Sequence, residues 1–329
     1  MTAKQKNIQR NGFVLVVVLC MVILLAVTLF GFNIKSRLNL RAVDDSKKSE
    51  QALNCARAGL NIAITAIRTA TDTQTDKMLQ EFLSEENTFD VAEGTCSINV
   101  VEESSKLNVN LLKDKNGRLD RTRIDQLLRL IDRLNENRSH HCYIGYTLVP
   151  SIIDWTDNDD QVTYLPFIKN ENSGAESIYY GQLKNPYYCK DSPFDTTEEL
   201  LLVKGVTIQV YNRIRDYVTV YGDGRININY ASQTVIESLS EKMDAALAQM
   251  IINQRRFKPF ENISELRNVP GMTDEIYNSV IKTADVGLTD RYYYVASSGN
   301  VDRLGCTIIA VLRKNGKTKN IEVVLYKEC

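Results

Sequence analysis

The chain has 329 residues, 43% of them hydrophobic and 25% charged, with a formal net charge of −1. That balance excludes a disordered chain and gives no general reason to bind nucleic acid or acidic surfaces. Past its N-terminal apolar run there is length for two domains, or for one domain with a large insertion.

Twelve mostly polar residues come first, with Lys4, Lys6 and Arg10 among them. Phe13 to Phe32 then carry no charge and a single hydroxyl, Thr28. At 1.5 Å per residue that run covers about 30 Å as a helix, one hydrocarbon thickness. Nothing else in the chain is apolar enough to cross a bilayer, so a single anchor near the start is expected. A cleaved secretory signal fits poorly. The run exceeds the usual apolar core of about 7–15 residues, and Phe30-Gly31-Phe32-Asn33 offers no small-residue cleavage site. Flanking charge does not set the orientation, because Lys35, Arg37 and Arg41 follow the run as closely as the first cations precede it. A plain signal anchor remains open at this point.

Behind the run, Leu53, Ala56, Leu60, Ala63, Ile64 and Ile67 recur at three- and four-residue spacing, the stripe of an amphipathic helix. No Pro precedes Pro150, so one helix is predicted from about Phe13 to about Ala70, roughly 85 Å long. Asn33 and Ser36 leave room for a kink. Cys96 to Asn110 alternates, with Ile98, Val100, Leu107 and Val109 on one face. It predicts two strands joined by a turn through Glu102 to Lys106. Asp120 then reads as an N-cap, before an amphipathic helix carrying Ile124, Leu127, Leu128, Ile131 and Leu134. Strand patterning does not return until the last third, which predicts a helical insertion inside a sheet domain.

Asp154, Asp157, Asp159 and Asp160 lie within seven residues. Acids so spaced on a loop can converge on a hard cation such as Ca²⁺, which takes about six to eight oxygens. Glu176 could add an oxygen from outside. The loop lacks the Gly and closing Glu of an EF-hand. The competing reading is a polar turn closing the helix end at Ile152-Ile153, with Trp155 buried beside it. His140 and His141, the only histidines, are adjacent and read as a solvated loop rather than zinc ligands.

From Ile226 to Ala284 short helices are predicted at 231–239, 244–254, 263–267 and 273–281. The turn Val269-Pro270-Gly271-Met272 resembles a helix-hairpin-helix, whose DNA-binding forms hold a phosphate on backbone N–H groups. The matching earlier turn, Leu239 to Met243, has no Gly and carries Glu241. Asp274 and Glu275 follow the second turn. A protein-binding helical fold is therefore expected, without nucleic acid. Strands return at Tyr292–Ser297, Cys306–Arg313 and Asn320–Tyr326, the last two joined by an Asn315-Gly316 hairpin turn. They should pair with the 96–110 region and complete a sheet under the N-terminal helix. Outside the apolar run lie Cys55, Cys96, Cys142, Cys189, Cys306 and Cys329, which allow up to three disulfides in fifteen arrangements or none at all. No nucleophile elbow, phosphate loop or metal-protease pair is present, so an enzyme is not expected.

A basic leader, a Gly before a Phe and an unbroken apolar helix resemble a type IV prepilin signal. The resemblance implies peptidase cleavage between Gly12 and Phe13 and methylation of the new Phe13 terminus. Loss of Lys4, Lys6 and Arg10 would take the formal charge from −1 to −4. Most such proteins carry Glu at the fifth mature position; here it is Val17, and the absence of that Glu resembles the K subunit of type II secretion. The pieces SSKLNVN, IIDWTDNDD, GAESIYY, NPYY, PFDTTEELLLVKG and YVTVYGDGRININYAS, in this order, resemble the general secretion pathway protein K family across most of residues 12–313.

That resemblance implies an α+β pilin-like fold, a long N-terminal helix packed on an antiparallel sheet with a large inserted SAM-like helical domain. The expected division is a leader at 1–12, a transmembrane segment at 13–33, stem and first strands at 34–110, the insertion at 111–290, and closing strands at 291–329. The implied role is a minor pseudopilin capping a secretion pseudopilus, anchored once in the inner membrane with its bulk in the periplasm. Implied partners are the other minor pseudopilins of the tip, the major pseudopilin and the prepilin peptidase, with a secreted substrate or the outer-membrane secretin as further candidates. Calcium, with Asp154, Asp157, Asp159, Asp160 and Glu176 as candidate ligands, is the implied structural ion. A minor pilin of a type IV or competence system, or a simple membrane-anchored binding protein, are the alternatives.

Overall fold

The computed structural model describes residues 3–70, 79, 82–83, 87–91, 94–114, 116–136, 142–169, 172–287 and 290–329, with 3–12 described by backbone alone. The histidine pair lies outside the described residues. Helix α1, Ala3–Thr69, is one continuous element, so neither Asn33 nor Ser36 breaks it. Its apolar first part is exposed throughout and is long and apolar enough to cross a membrane. Burial begins at Ala52 and follows the predicted stripe through Ala56, Leu60, Ala63 and Ile67.

That stripe lies on a five-stranded antiparallel sheet of order β1-β2-β7-β8-β9. Its strands are β1 Asn87–Val91, β2 Gly94–Glu102, β7 Asp290–Val301, β8 Leu304–Asn315 and β9 Ile321–Glu328. β2 pairs with β7 in a register that sets Cys96 opposite Gly299 and Val100 opposite Val295, so strands from the two ends of the chain meet at the centre of the sheet. Cys96, Ile98, Val100, Tyr293, Val295, Ile308, Ala310 and Leu312 face the helix as one core. Each large aliphatic side chain so buried contributes about 1.5–3 kcal/mol. The helix approaches closely because its contact residues are small and because Gly299 and Gly94 sit beneath it. Ser297 Oγ donates to the Ala56 carbonyl at 2.8 Å, closing the polar gap between the two layers.

Two local expectations are corrected. Leu107 and Val109 do not form a hairpin with β2. A 3₁₀ turn at Glu103–Ser105 carries the chain off the sheet, and β3, Leu107–Asn108, pairs in parallel with β4, Val218–Thr219. The hairpin partner of β2 is β1, whose NTFDV pattern is too short and polar to read as a strand. The β8–β9 connection is not a two-residue Asn-Gly turn. Asn315 Oδ1 instead accepts from Lys317 N at 3.0 Å and Thr318 N at 2.9 Å, and Lys319 takes a positive φ of 57°.

Between Glu102 and Asp290 the chain forms a helical body with its own apolar core. Helix α2, Arg121–Glu136, starts as predicted at Asp120, whose Oδ1 accepts from Arg123 N at 3.1 Å. It packs Ile124, Leu127, Leu130 and Ile131 inward. α3 is Leu148–Thr156 and α4 is the single turn Ser177–Gly181. α5 Ile208–Ile214, α6 Gln233–Ser238, α7 Ala245–Phe257 and α8 Asp274–Val280 follow, with 3₁₀ turns at Thr197–Leu202 and Ile263–Asn268. β5, Ile226–Asn227, pairs in parallel with β6, Ala284–Asp285.

Asparagines clamp this body together. Asn110 Nδ2 donates to the carbonyls of Phe194 and Val220, both at 3.0 Å, while its Oδ1 accepts from Phe194 N at 2.8 Å. Asn229 closes the same kind of ring with Phe260, through bonds of 2.9 Å in both directions. Asn227 Nδ2 donates to both carboxylate oxygens of buried Glu102, at 2.9 and 3.2 Å, and so ties the helical body to the end of β2. The asparagines of SSKLNVN and RININY are thus structural: each satisfies buried backbone or a buried acid that would otherwise be costly to leave unpaired.

Candidate metal centre

The acidic residues singled out above occupy the end of α3 and the chain after it. Asp154 is on the inward face of α3 and fully buried. Asp157 caps the helix, its N–H donating to the Ile153 carbonyl at 3.1 Å. Glu176 is the residue that precedes α4, and it too is buried.

Ligand oxygens of Asp157, Asp159 and Glu176 lie within 4.8 Å of one another. A second such group joins Glu176 to Cys189 and Asp191, neither of which the sequence pointed to as a ligand. Asp154 stands behind the first group: its Oδ1 accepts from Thr163 N at 2.9 Å. Its Oδ2 points at Gly174, where a Cβ would fall only 2.1 Å away. Asp160 is exposed and belongs to neither group.

Four carboxylate oxygens here are buried with no hydrogen-bond partner among the described residues: Asp154 Oδ2, Asp157 Oδ1 and both oxygens of Glu176. Buried carboxylates without donors are strongly disfavoured as anions. Burial, reinforced by the charges of Asp154 and Asp157, pushes the Glu176 carboxyl up to about 8. Burial likewise pushes Asp154 up to about 6, against the pull of its Thr163 bonds. Asp157 is raised by burial and held down by Lys113, whose ammonium pairs with its Oδ2.

With one lysine against this many acids, a cation would take the place of the protons that burial otherwise favours on Glu176 and Asp154. The donor set is hard oxygen, which suits Ca²⁺ or a similar ion. Burial pushes the Cys189 thiol up to about 12, so without a cation it is neutral. Asp191 has a positive φ of 51°, a conformation Asp tolerates, and it turns its carboxylate back toward Glu176. Trp155 follows Asp154 in α3 and forms an aromatic wall beside the group, its ring centroid 5.1 Å from Tyr180 and 6.2 Å from Tyr187. Trp155 is buried, as predicted, and its burial is compatible with either reading of the acids.

At the other end of the molecule, Phe13 and Val17 lie on the exposed apolar part of α1, and the backbone of Gly12 belongs to the same helix.

Comparison with known proteins bears on the helical body and on the whole fold. Two family models, both described as type II secretion system (T2SS), protein K, match residues 105–223 and 226–286. Type II secretion system protein K of Aeromonas hydrophila is 31% identical over 87 residues, covering 26% of this chain and 24% of that protein. Its counterpart in Klebsiella pneumoniae is 22% identical over 225 residues, covering 68% of this chain and 66% of that protein. The chain thus spans about a quarter of one of these relatives and just under two thirds of the other.

In fold, the chain is similar to a protein from the crystal structure of the GspK-GspI-GspJ complex of the enterotoxigenic Escherichia coli type 2 secretion system. The TM-score is 0.68 at 18% identity, over 88% of this chain and 99% of that one. A long N-terminal helix on an antiparallel sheet, interrupted by a helical body most of which the two family models match, places this chain in the type II secretion system protein K family.

Proposed function

We propose that the chain is a minor pseudopilin, set at the tip of a type II secretion pseudopilus and held by one pass in the inner membrane, with its helical body in the periplasm. The observation that carries this reading is the continuity of α1. The apolar segment from Phe13 runs without a break into the stem that packs on the sheet, so the anchor and the folded domain move as one rod. Residues 34–43 of that rod precede the ion pair of Lys48 with Asp302 in the β7–β8 turn and expose Ile34, Leu38, Leu40 and Val43, apolar side chains placed for neighbouring stem helices. The family and the triple complex in which its structural relative was solved support other minor pseudopilins as those neighbours.

Cleavage between Gly12 and Phe13 would free the rod from its basic leader. Val17 would leave the mature helix without the carboxylate that, by the prepilin resemblance, pairs with a neighbour's terminal amine. A subunit lacking that group does not recruit a neighbour in this way, which suits a terminal position. The helical body adds bulk above the stem and would block further addition. Its role is mechanical and needs no catalytic group. A calcium ion held by Asp157, Asp159 and Glu176, with Asp154 and Asp191 in support, would tie α3, α4 and the 189–191 segment together.

Mass spectrometry of the membrane-extracted protein tests the reading. A mature chain that begins with N-methylated Phe13 is expected, and deletion of the gene should stop export of secreted proteins. Retention of Met1 to Gly12 would overturn it.

A further inference from the structure

The helical body carries a second feature, next to the acidic group but not part of it. α4 is fastened to two other stretches. Cys189 N donates to Ser177 Oγ at 3.0 Å. Tyr187 stacks on Tyr180 with ring centroids 5.2 Å apart, and its hydroxyl donates to the Leu202 carbonyl at 2.8 Å. Lys204 N donates to the Tyr180 hydroxyl oxygen at 3.2 Å. Residues 177–181, 187–189 and 202–204 therefore form one face.

That face leaves apolar groups in solvent: Ile178 is 75% exposed and Tyr188 84%, and Tyr179 and Leu202 are exposed with them. Single exposed apolar residues are ordinary on any surface, but four on one face mark an interaction site. Two cations border it. Lys204 Nζ sits 5.1 Å from the centroid of the Tyr179 ring and donates to the carbonyls of Ser173 and Gly174. Lys184 lies exposed in the turn that joins α4 to Tyr187. Among the described residues neither is paired with a carboxylate, whereas Lys190, just past Cys189, bonds both Asp195 and Glu199.

We propose that this face docks a protein partner through an apolar segment flanked by carboxylates. The aliphatic and tyrosine side chains cover the apolar groups, and Lys184 and Lys204 meet the acids. Tyrosine suits this role because it offers a large contact area with few rotatable bonds and a hydroxyl that adapts to its partner. Lys204 is already oriented by two carbonyls and a ring, so little freedom is lost when an anion arrives. The partner's acidic character follows from these two unpaired cations. The proposal holds whether or not the chain caps a pseudopilus.

The test uses the full chain in nanodiscs of zwitterionic lipid, titrated with a labelled synthetic peptide alternating Leu and Phe with Asp, and with the same peptide carrying Lys in place of Asp. The acidic peptide is expected to bind. Ile178→Ser and Tyr188→Ser, both at side chains mostly in solvent, should each weaken binding by about ten-fold. Lys204→Gln should weaken it as well. Phe257→Ser, at a 90% exposed side chain on α7, should leave it unchanged. The proposal is overturned if the acidic peptide fails to bind, if the Lys peptide binds as tightly, or if Phe257→Ser weakens binding as much as Tyr188→Ser. Self-association in sedimentation that Tyr188→Ser abolishes would also overturn it, by assigning the face to a second copy of this chain.

Discussion

Gly299 of β7 lies directly beneath Ala52 of the stem helix: a Cβ built at Gly299 would fall 2.0 Å from the Ala52 carbonyl oxygen and 2.5 Å from the Ala56 nitrogen. Both are helix backbone and cannot turn aside. Gly299→Ala is therefore expected to force the helix off the sheet, at a cost of about 3 kcal/mol or more. Gly59→Ala is the control. Its Cβ would meet the Ser297 hydroxyl at 2.2 Å, a group that can rotate at the cost of its bond to Ala56, about 1 kcal/mol. Thermal melting should separate the two variants clearly; equal losses would mean that the close approach is not what holds the layers together.

Much of this joint is legible in the sequence. The spacing of Ala56, Leu60, Ala63 and Ile67 announces the buried stripe, and the alternation in the last forty residues announces β7, β8 and β9. What escapes is set by tertiary contact. β1 has only Phe89 and Val91 to mark it and is a strand because β2 offers it a ladder. The parallel pairs β3–β4 and β5–β6 are two residues long, too short for any periodicity. The acids from Asp154 to Asp160 stand out by density, but the fold draws in Asp157 and Asp159 and leaves Asp160 outside. It adds Asp191 from more than thirty residues away, through a loop that no local pattern foretells.

The far end of the stem is closed from the sheet. Lys314 of β8 is buried, and its ammonium donates to the Ile67 carbonyl at 2.6 Å and to the Ala70 carbonyl. These are among the last carbonyls of the helix, which carry its negative dipole end. Lys314→Met keeps the length of the side chain and removes the donors. It should cost about 2 kcal/mol, measurable in urea, with no change in the membrane anchoring of the chain.

Glu176 and Asp154 give the cation-free protein an unusual response to pH. Their carboxyls are pushed up on folding, from 4.5 to about 8 and from 3.8 to about 6. The folded state therefore binds more protons than the unfolded chain in that range. Stability is fully present below the unfolded values and falls as pH rises through the folded ones. In chelator, melting temperature should decline between about pH 5 and pH 8. Calcium, which replaces the protons, should restore it most at the upper end of that range. Glu176→Gln should flatten the decline and abolish the calcium response. A melting temperature that ignores both pH and calcium across the range would remove the site.

The helical body also carries two short helical hairpins. The turn Val269-Pro270-Gly271-Met272 does form, with Gly271 at a φ of 88° and Met272 N donating to the Val269 carbonyl at 3.0 Å. The helix behind it is already furnished: Thr273 Oγ accepts from Ile276 N, and Asp274 and Glu275 occupy the first turn of α8. Glu275 pairs with Lys242 at 2.5 Å and Asp274 faces Arg267 at 3.7 Å, so the basic residues nearby are engaged with acids rather than free for phosphate. The protein should not be retained on double-stranded DNA at any salt concentration that keeps it soluble. Reversing both acids, Asp274→Lys with Glu275→Lys, removes the repulsion and releases Lys242 and Arg267. Weak retention should then emerge, with a log–log salt slope of about −2 to −4, one contact for each cation gained or freed. Tight, salt-dependent binding by the unaltered chain would show instead that the hairpin backbone holds phosphate despite its acids.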